Sequence, residues 1–183
     1  ELSRIEPYAA FDTLQWDSDL EAATRMAEAI VTDACGRRHG QARSTIDRVL
    51  IAAPSALRAI DLVARPAGQE AKLDRDQVGN AIELCDLFVL DPVAVRTVTP
   101  AASDDRDGIR RLRTLAPKAT VLVVQSKGLL VGTAGGAIDL IEAPDGASPI
   151  PSLAWAVHAA LAMVRGHALM DALPSAWKGS HAS

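Results

Sequence analysis

Residues 119–142 read ATVLVVQSKGLLVGTAGGAIDLIE, and the fold turns on how this stretch is organised. Residues 119–124 form a continuous apolar run, the pattern of a strand covered on both faces. Beyond Ser126 two readings stay open. Residues 129–131 and 138–141 can be two strands joined through Ala134, Gly135 and Gly136, a hairpin signal. Alternatively only residues 137–141 form a strand, preceded by a short irregular helix. Gly128, Gly132, Gly135 and Gly136 weigh against a good helix there.

Working upstream, residues 108–115 predict a helix with Ile109, Leu112 and Leu115 facing inward. Asp104, Asp105 and Asp107 precede it, where carboxylates suit the helix dipole. Residues 93–107 read as irregular. Residues 86–90 (DLFVL) are a second buried-strand run, closed by Asp91 and Pro92. Before it come a helix over 76–85, a short strand over 70–73, a helix over 55–64 and a strand over 48–53 that Pro54 ends. A polar, basic linker covers 36–45, and an N-terminal helix spans 20–34 with Ser18 and Glu21 as its capping box. Downstream, Ala143 to Gly146 make a turn. The final helix covers 152–165, with Leu153, Val157, Ala160, Leu161 and Val164 as its stripe. The order is strand and helix in alternation, so the expected fold is α/β, a doubly wound, mostly parallel five-stranded sheet with an N-terminal helical extension. The expected divisions are 1–45 for the extension and linker, 46–168 for the α/β domain and 169–183 for a tail.

Composition narrows the function classes. The 183 residues are 49% apolar and 23% charged, with a net charge of −4. An acidic balance argues against a nucleic-acid footprint, which needs a basic face. Cys35 and Cys85 are far apart and in no metal-like spacing, which excludes a disulfide scaffold and suggests a reducing compartment. The longest apolar stretch, 153–164, is too short to span a bilayer. No secretory pattern opens the chain, so a cytoplasmic location is expected. His39, His158, His167 and His181 show no ligand spacing. Neither a metal nor a cofactor is expected.

Residues 47–165 resemble the receiver domain of response regulators. The strings RVLIAAPSALRAI, DLFVLDP, DGIRRLRTLAPKATVLVV and AIDLIEAPDGASPIPSLAWAVHAAL carry the resemblance. It implies a flavodoxin-like sheet with a phosphorylation site at its strand ends. Asp91 falls at the phosphoacceptor position and Ser126 at the phosphate-reading hydroxyl. The metal-binding acidic pair is replaced by Ala53 and Pro54, and the site lysine by Glu142. Without those carboxylates Mg²⁺ has no seat, and Glu142 repels a phosphoryl group.

Residues 86–164 also resemble the C-terminal part of ribokinase-like sugar kinases. CDLFVLDPVAV looks like that family's strand and following helix, and LVVQSKGLLVGTAGGAIDLIEAP like its strand and hairpin. The resemblance implies a Gly-Ala-Gly-Asp anion hole and catalytic base at the head of the next helix. Here that stretch reads DGASPIPSLAW, from Asp145 to Trp155.

Taken together, the expectation is a degenerate receiver acting as a regulatory or assembly module through protein contacts, as a homodimer. The alternatives are a nucleotide- or phosphometabolite-binding enzyme or subunit related to ribokinase-like kinases, and an accessory subunit of a larger complex. The candidate site at the strand ends comprises Pro54, Asp91, Ser126 and Glu142. Trp155 is the candidate interface residue. Gly132, Gly135 and Gly136 could cradle a phosphate, and Ser126 to Gly128 could form an anion nest.

Overall fold

The computed structural model describes residues 27–33, 51, 55–63 and 84–179. Six strands form one sheet in the order β1 to β6. These are β1 (Ala29–Asp33), β2 (Leu57–Asp61), β3 (Leu87–Leu90), β4 (Thr120–Gln125), β5 (Gly128–Gly132) and β6 (Ile138–Glu142). Strands β1 to β4 pair in parallel. The last two add antiparallel, β4 with β5 and β5 with β6. The α/β class holds. Among the described residues the sheet has six strands where five are expected, and its spatial order follows the sequence without a reversal.

Helices α1 (Pro92–Val98) and α2 (Asp105–Leu115) pack on one face. Helix α3 (Ser152–Val164) covers the other, with the short α4 (Leu169–Ala172) and α5 (Pro174–Gly179) beside it. Strand residues alternate between the two layers as a pleated chain must. Ile60, Phe88, Leu90, Val121 and Val123 face α1 and α2. Ala59, Leu87, Val89, Leu122 and Leu129 face α3.

Local chemistry explains each boundary. Asp91 caps α1, its Oδ1 accepting the Ala94 N–H at 2.6 Å, and Pro92 fills the first helical position. The stretch 93–107, read as irregular, therefore contains most of α1. Asp104 caps α2 by accepting from the Asp107 N–H at 2.7 Å. The Asp107 carboxyl lies below its ordinary range because the Ser103 N–H and then Arg111 donate to it. Ile109 and Leu112 face inward as expected, whereas Leu115 is 63% exposed.

Two helices expected upstream are strands instead. Within 20–34, residues 29–33 form β1, because Ile30, Val31 and Thr32 are β-branched and pair with β2. Residues 18–26 lie outside the described residues. Within 55–64, residues 57–61 form β2, paired on both sides. Its entry is fixed by Asp86, whose Oδ2 accepts from the Arg58 backbone N–H at 3.0 Å and from Arg58 Nε at 3.3 Å. Ile51, expected in a strand, is helical and exposed, and the rest of that strand lies outside the described residues. So do the expected strand at 70–73 and most of the helix at 76–85. Cys85 is buried, and desolvation, then Asp86, pushes its thiol up to about 12, which leaves it protonated and inert.

Of the stripe expected for helix α3 only Ala160 is fully buried. Trp155, Ala156, Ala159 and Ala162 face the core with it. The alanines let the helix lie close on the sheet, and Trp155 fills the space left beside them. Leu153, Val157 and Leu161 are only half-buried. Beyond α3, Trp177 of α5 meets Trp155 edge-on, with ring centroids 4.7 Å apart and planes 70° apart. The C-terminal stretch to residue 179 thus packs into the same layer as α3.

Gly108 is where α1 and α2 touch. A Cβ there would sit 2.3 Å from Val95 Cγ1 and 3.1 Å from Thr99 Oγ1. Overpacking costs about 1–3 kcal/mol, offset by about 1 kcal/mol of helix propensity. Gly108→Ala is therefore expected to lose about 1 kcal/mol in urea unfolding. The loss should shrink in a Val95→Ala background, where the clashing methyl is gone; additivity of the two changes would disprove the contact.

Candidate functional site

In an open α/β sheet, ligands are held outside the carboxyl ends of the parallel strands. Those ends here carry Asp33, Asp61, Asp91 and Gln125. Asp33 stands beside Asp61 in the β1–β2 register. Asp61 is 5% exposed. Its Oδ1 accepts from the Val63 N–H at 3.0 Å, and its Oδ2 accepts from the Ser152 hydroxyl at 2.6 Å. This second bond joins residues 91 positions apart and fixes the head of α3 against the end of β2. Pro151, the residue before α3, provides no side-chain cap. The Asp61–Ser152 pair supplies a carboxylate at the positive end of the helix instead. The Ala154 and Trp155 N–H groups both turn to the Pro151 carbonyl, and among the described residues the Ser152 and Leu153 N–H groups have no acceptor.

Gln125 ends β4, and its Nε2 donates to Asp105 Oδ2 at 2.6 Å, tying the strand end to the start of α2. Ser126 and Lys127 form a two-residue turn into β5, and both are exposed. Glu142 ends β6, is exposed, and pairs in register with Gly128. Three of the expected residues therefore lie at one end of the sheet. They are not brought together. Asp91 and Glu142 are three strands apart, roughly 14 Å at the usual spacing. No hydrogen bond joins either to Ser126, and Asp91 is occupied as a helix cap. Pro54 lies outside the described residues.

Trp155 is not at a surface. It is 2% exposed and belongs to the core. Ser152 and Asp61 were missed by sequence reasoning because Asp61 was placed inside a helix. Read as the last residue of the strand LRAID, it would have stood out as a carboxylate at a strand end. Among the described residues no cluster of His, Cys, Asp and Glu could hold a metal ion. No described helix is long and apolar enough to cross a membrane.

No protein-family model matches the chain, and no curated protein sequence does. Solved structures do. The adenosine kinase of Anopheles gambiae, in complex with P1,P4-di(adenosine-5) tetraphosphate, matches with a TM-score of 0.70 at 13% identity, covering 88% of this chain and 50% of the kinase. The ribokinase of Arabidopsis thaliana, complexed with ribose and ATP, matches with a TM-score of 0.62 at 16% identity, covering 90% and 52%. A PfkB protein from Polaromonas sp. JS666 matches with a TM-score of 0.62 at 19% identity, covering 83% and 51%. The chain thus spans about half the length of the structures it matches. At these identities the likeness shows the fold. It overturns the receiver reading, and with it the expected role as a signalling module. The geometry agrees, because β4, β5 and β6 follow one another as an antiparallel meander where a receiver would need a helix and a parallel strand.

Proposed function

We propose that the chain is an enzyme, or a subunit of one, of the ribokinase-like kind that binds a nucleotide or a small phosphorylated ligand at the carboxyl ends of β2 to β4. The observation that carries this reading is the fold likeness to nucleotide-bound kinases of that type. The head of α3 faces the same end, and its Ser152 and Leu153 N–H groups favour a phosphate. The resemblance implies a catalytic carboxylate at the head of this helix, and the helix opens on Ser152 instead. Ser152 is hydrogen-bonded to the carboxylate of Asp61. In this reading Asp61 takes, through its hydrogen bond with Ser152, the proton that a substrate hydroxyl passes on.

Thermal unfolding with Mg²⁺ and ATP tests the binding. A ligand at 100 times its Kd stabilises the native state by about 2.7 kcal/mol. For a chain of this size that is a rise of roughly 5–10 °C. No rise with millimolar ATP or ADP would refute nucleotide binding. ATP consumption with a sugar or nucleoside, lost in Asp61→Asn while ATP still binds, would place the chain among the enzymes. Binding without turnover would make it a binding subunit.

A further inference from the structure

Strand β6 (IDLIE) closes the sheet, and among the described residues no strand pairs with its outer side. The ladder fixes which of its residues look outward. The Ala143 N–H donates to the Lys127 carbonyl at 3.0 Å, so these two residues face each other as a bonded pair just beyond the strands. Bonded and non-bonded pairs alternate along an antiparallel ladder. Asp139 and Ile141 therefore exchange bonds with Val131 and Leu129 of β5. Ile138, Leu140 and Glu142 turn their backbone N–H and C=O groups away from the sheet. The Ile138 carbonyl agrees with this parity, since Arg106 Nη1 reaches it from α2 at 2.6 Å.

Side chains follow the same alternation. Ile141 points into the α3 layer. Leu140 points to the opposite face and is 41% exposed, although it is apolar and sits mid-strand. The helices pack mainly over β1 to β5 and leave β6 at the rim. An uncovered edge with an apolar side chain is a template for another strand. Charges usually protect such edges, and β6 carries Asp139 and Glu142. They bar pairing only in registers that leave the charges unmet.

We infer that β6 pairs with β6 of a second copy of the chain, antiparallel and centred on Leu140, so that two sheets become one. A two-fold axis presents the same surface from both sides. Leu140 then faces Leu140, Ile138 faces Glu142, and Asp139 faces Ile141. Outward residues oppose outward residues, so each N–H meets a carbonyl. No carboxylate opposes a carboxylate. Glu142 of one copy comes beside Ile138 of the other, where Arg106 is held. Neither Arg106 nor Glu142 has an ion-pair partner among the described residues, and the pairing gives each a counterion. The Ile138 oxygen has two lone pairs and can accept from Arg106 and the incoming N–H together. Neighbouring registers fail. Centring on Glu142 opposes two carboxylates and sets Leu140 against Pro144, which has no N–H. Centring on Ile138 sets Leu140 against Gly136, whose N–H is bonded to the Thr133 carbonyl and whose carbonyl is taken by Arg113.

Sedimentation equilibrium and amide hydrogen exchange on the full chain, without ligand, test this. The expected result is a mass that rises with concentration toward two chains, with Kd on the order of 100 μM, as befits a small interface. The Leu140 and Glu142 amides should exchange freely in dilute protein and slow in step with dimerisation. The Asp139 and Ile141 amides should be slow throughout. Leu140→Pro removes an outward N–H and no bond to β5, and should raise Kd about tenfold or more. Glu142→Arg changes only an exposed side chain, which keeps the test decisive if the proline variant does not fold. It should weaken pairing about fivefold, and adding Arg106→Glu should restore it. A monomer up to about 1 mM overturns the inference. So does a dimer unchanged in the folded variants, or one that the double charge reversal fails to restore. A Leu140 amide protected at every concentration also overturns it, because the edge is then covered within one chain.

Discussion

Replacing Trp155 with alanine is expected to lower the unfolding midpoint by roughly 6–20 °C, the largest effect of any single truncation among the described residues. The indole is 2% exposed and is the largest fully buried side chain among the described residues. Truncating such a residue costs about 3–5 kcal/mol through lost transfer energy and the cavity left behind. The edge-on contact with Trp177, worth about 0.5–1.5 kcal/mol beyond buried area, is part of that loss. The neighbours cannot close the gap. Ala156, Ala159 and Ala160 have no reach, and the sheet residues below are held by their ladders. A total near 4 kcal/mol is a large share of the 5–15 kcal/mol typical of a folded domain. Near-ultraviolet circular dichroism during heating reads both the midpoint and the loss of the tryptophan pair. Trp177→Ala should follow in the same direction with a smaller shift. A Trp155→Ala midpoint within about 3 °C of wild type would show that the tryptophan pair is not a core element.

That prediction depends on a correction, and the correction shows what the sequence could and could not convey. Trp155 sits off the leucine and valine stripe of α3, so periodicity alone placed it outward. Periodicity weighs hydrophobicity and ignores shape. The sheet selected the alanine side of the helix because small side chains permit close approach, and one large ring then fills the remaining space. The strands β3 and β4 were legible because LFVL and TVLVVQ are continuous apolar runs that a two-faced core requires. The capping carboxylate at Asp104 was legible from charge placement. Strands β1 and β2 were not, since AIVTD and LRAID are short and lie in stretches with helical spacing. Their state is decided by pairing with neighbours far along the chain, which local pattern does not contain. The candidate site was half legible. The correct end of the sheet followed from the strand rule, but the bond between Asp61 and Ser152 spans 91 positions and leaves no local trace.

Gly128→Ala is expected to destabilise the protein by about 2–6 kcal/mol, combining overpacking with backbone strain. Gly128 opens β5 with φ +156°, a conformation that side chains rarely adopt, and a Cβ there would lie 2.2 Å from the Ile141 carbonyl oxygen. That oxygen belongs to β6 backbone, so no rotamer change relieves the contact. Either β6 moves away from β5 or the turn at Ser126 and Lys127 opens. Both outcomes weaken the antiparallel β4–β5–β6 meander. Gly135→Ala provides the comparison. Its φ of +67° lies in the left-handed region, which a side chain adopts at a smaller cost, and nothing lies within 4 Å of the added carbon. Its cost should be the conformational part alone, about 1–2 kcal/mol. Urea unfolding gives both values, and hydrogen exchange of the β6 amides separates them further. In Gly128→Ala those amides should exchange faster than the β3 and β4 amides, whereas in Gly135→Ala the ranking of wild type should hold. Equal losses in the two variants would mean that backbone conformation, and not the approach of β6, sets the requirement for glycine at the mouth of the hairpin. Then Ser126 and Glu142 would tolerate a looser turn than the strand-end site in this fold assumes.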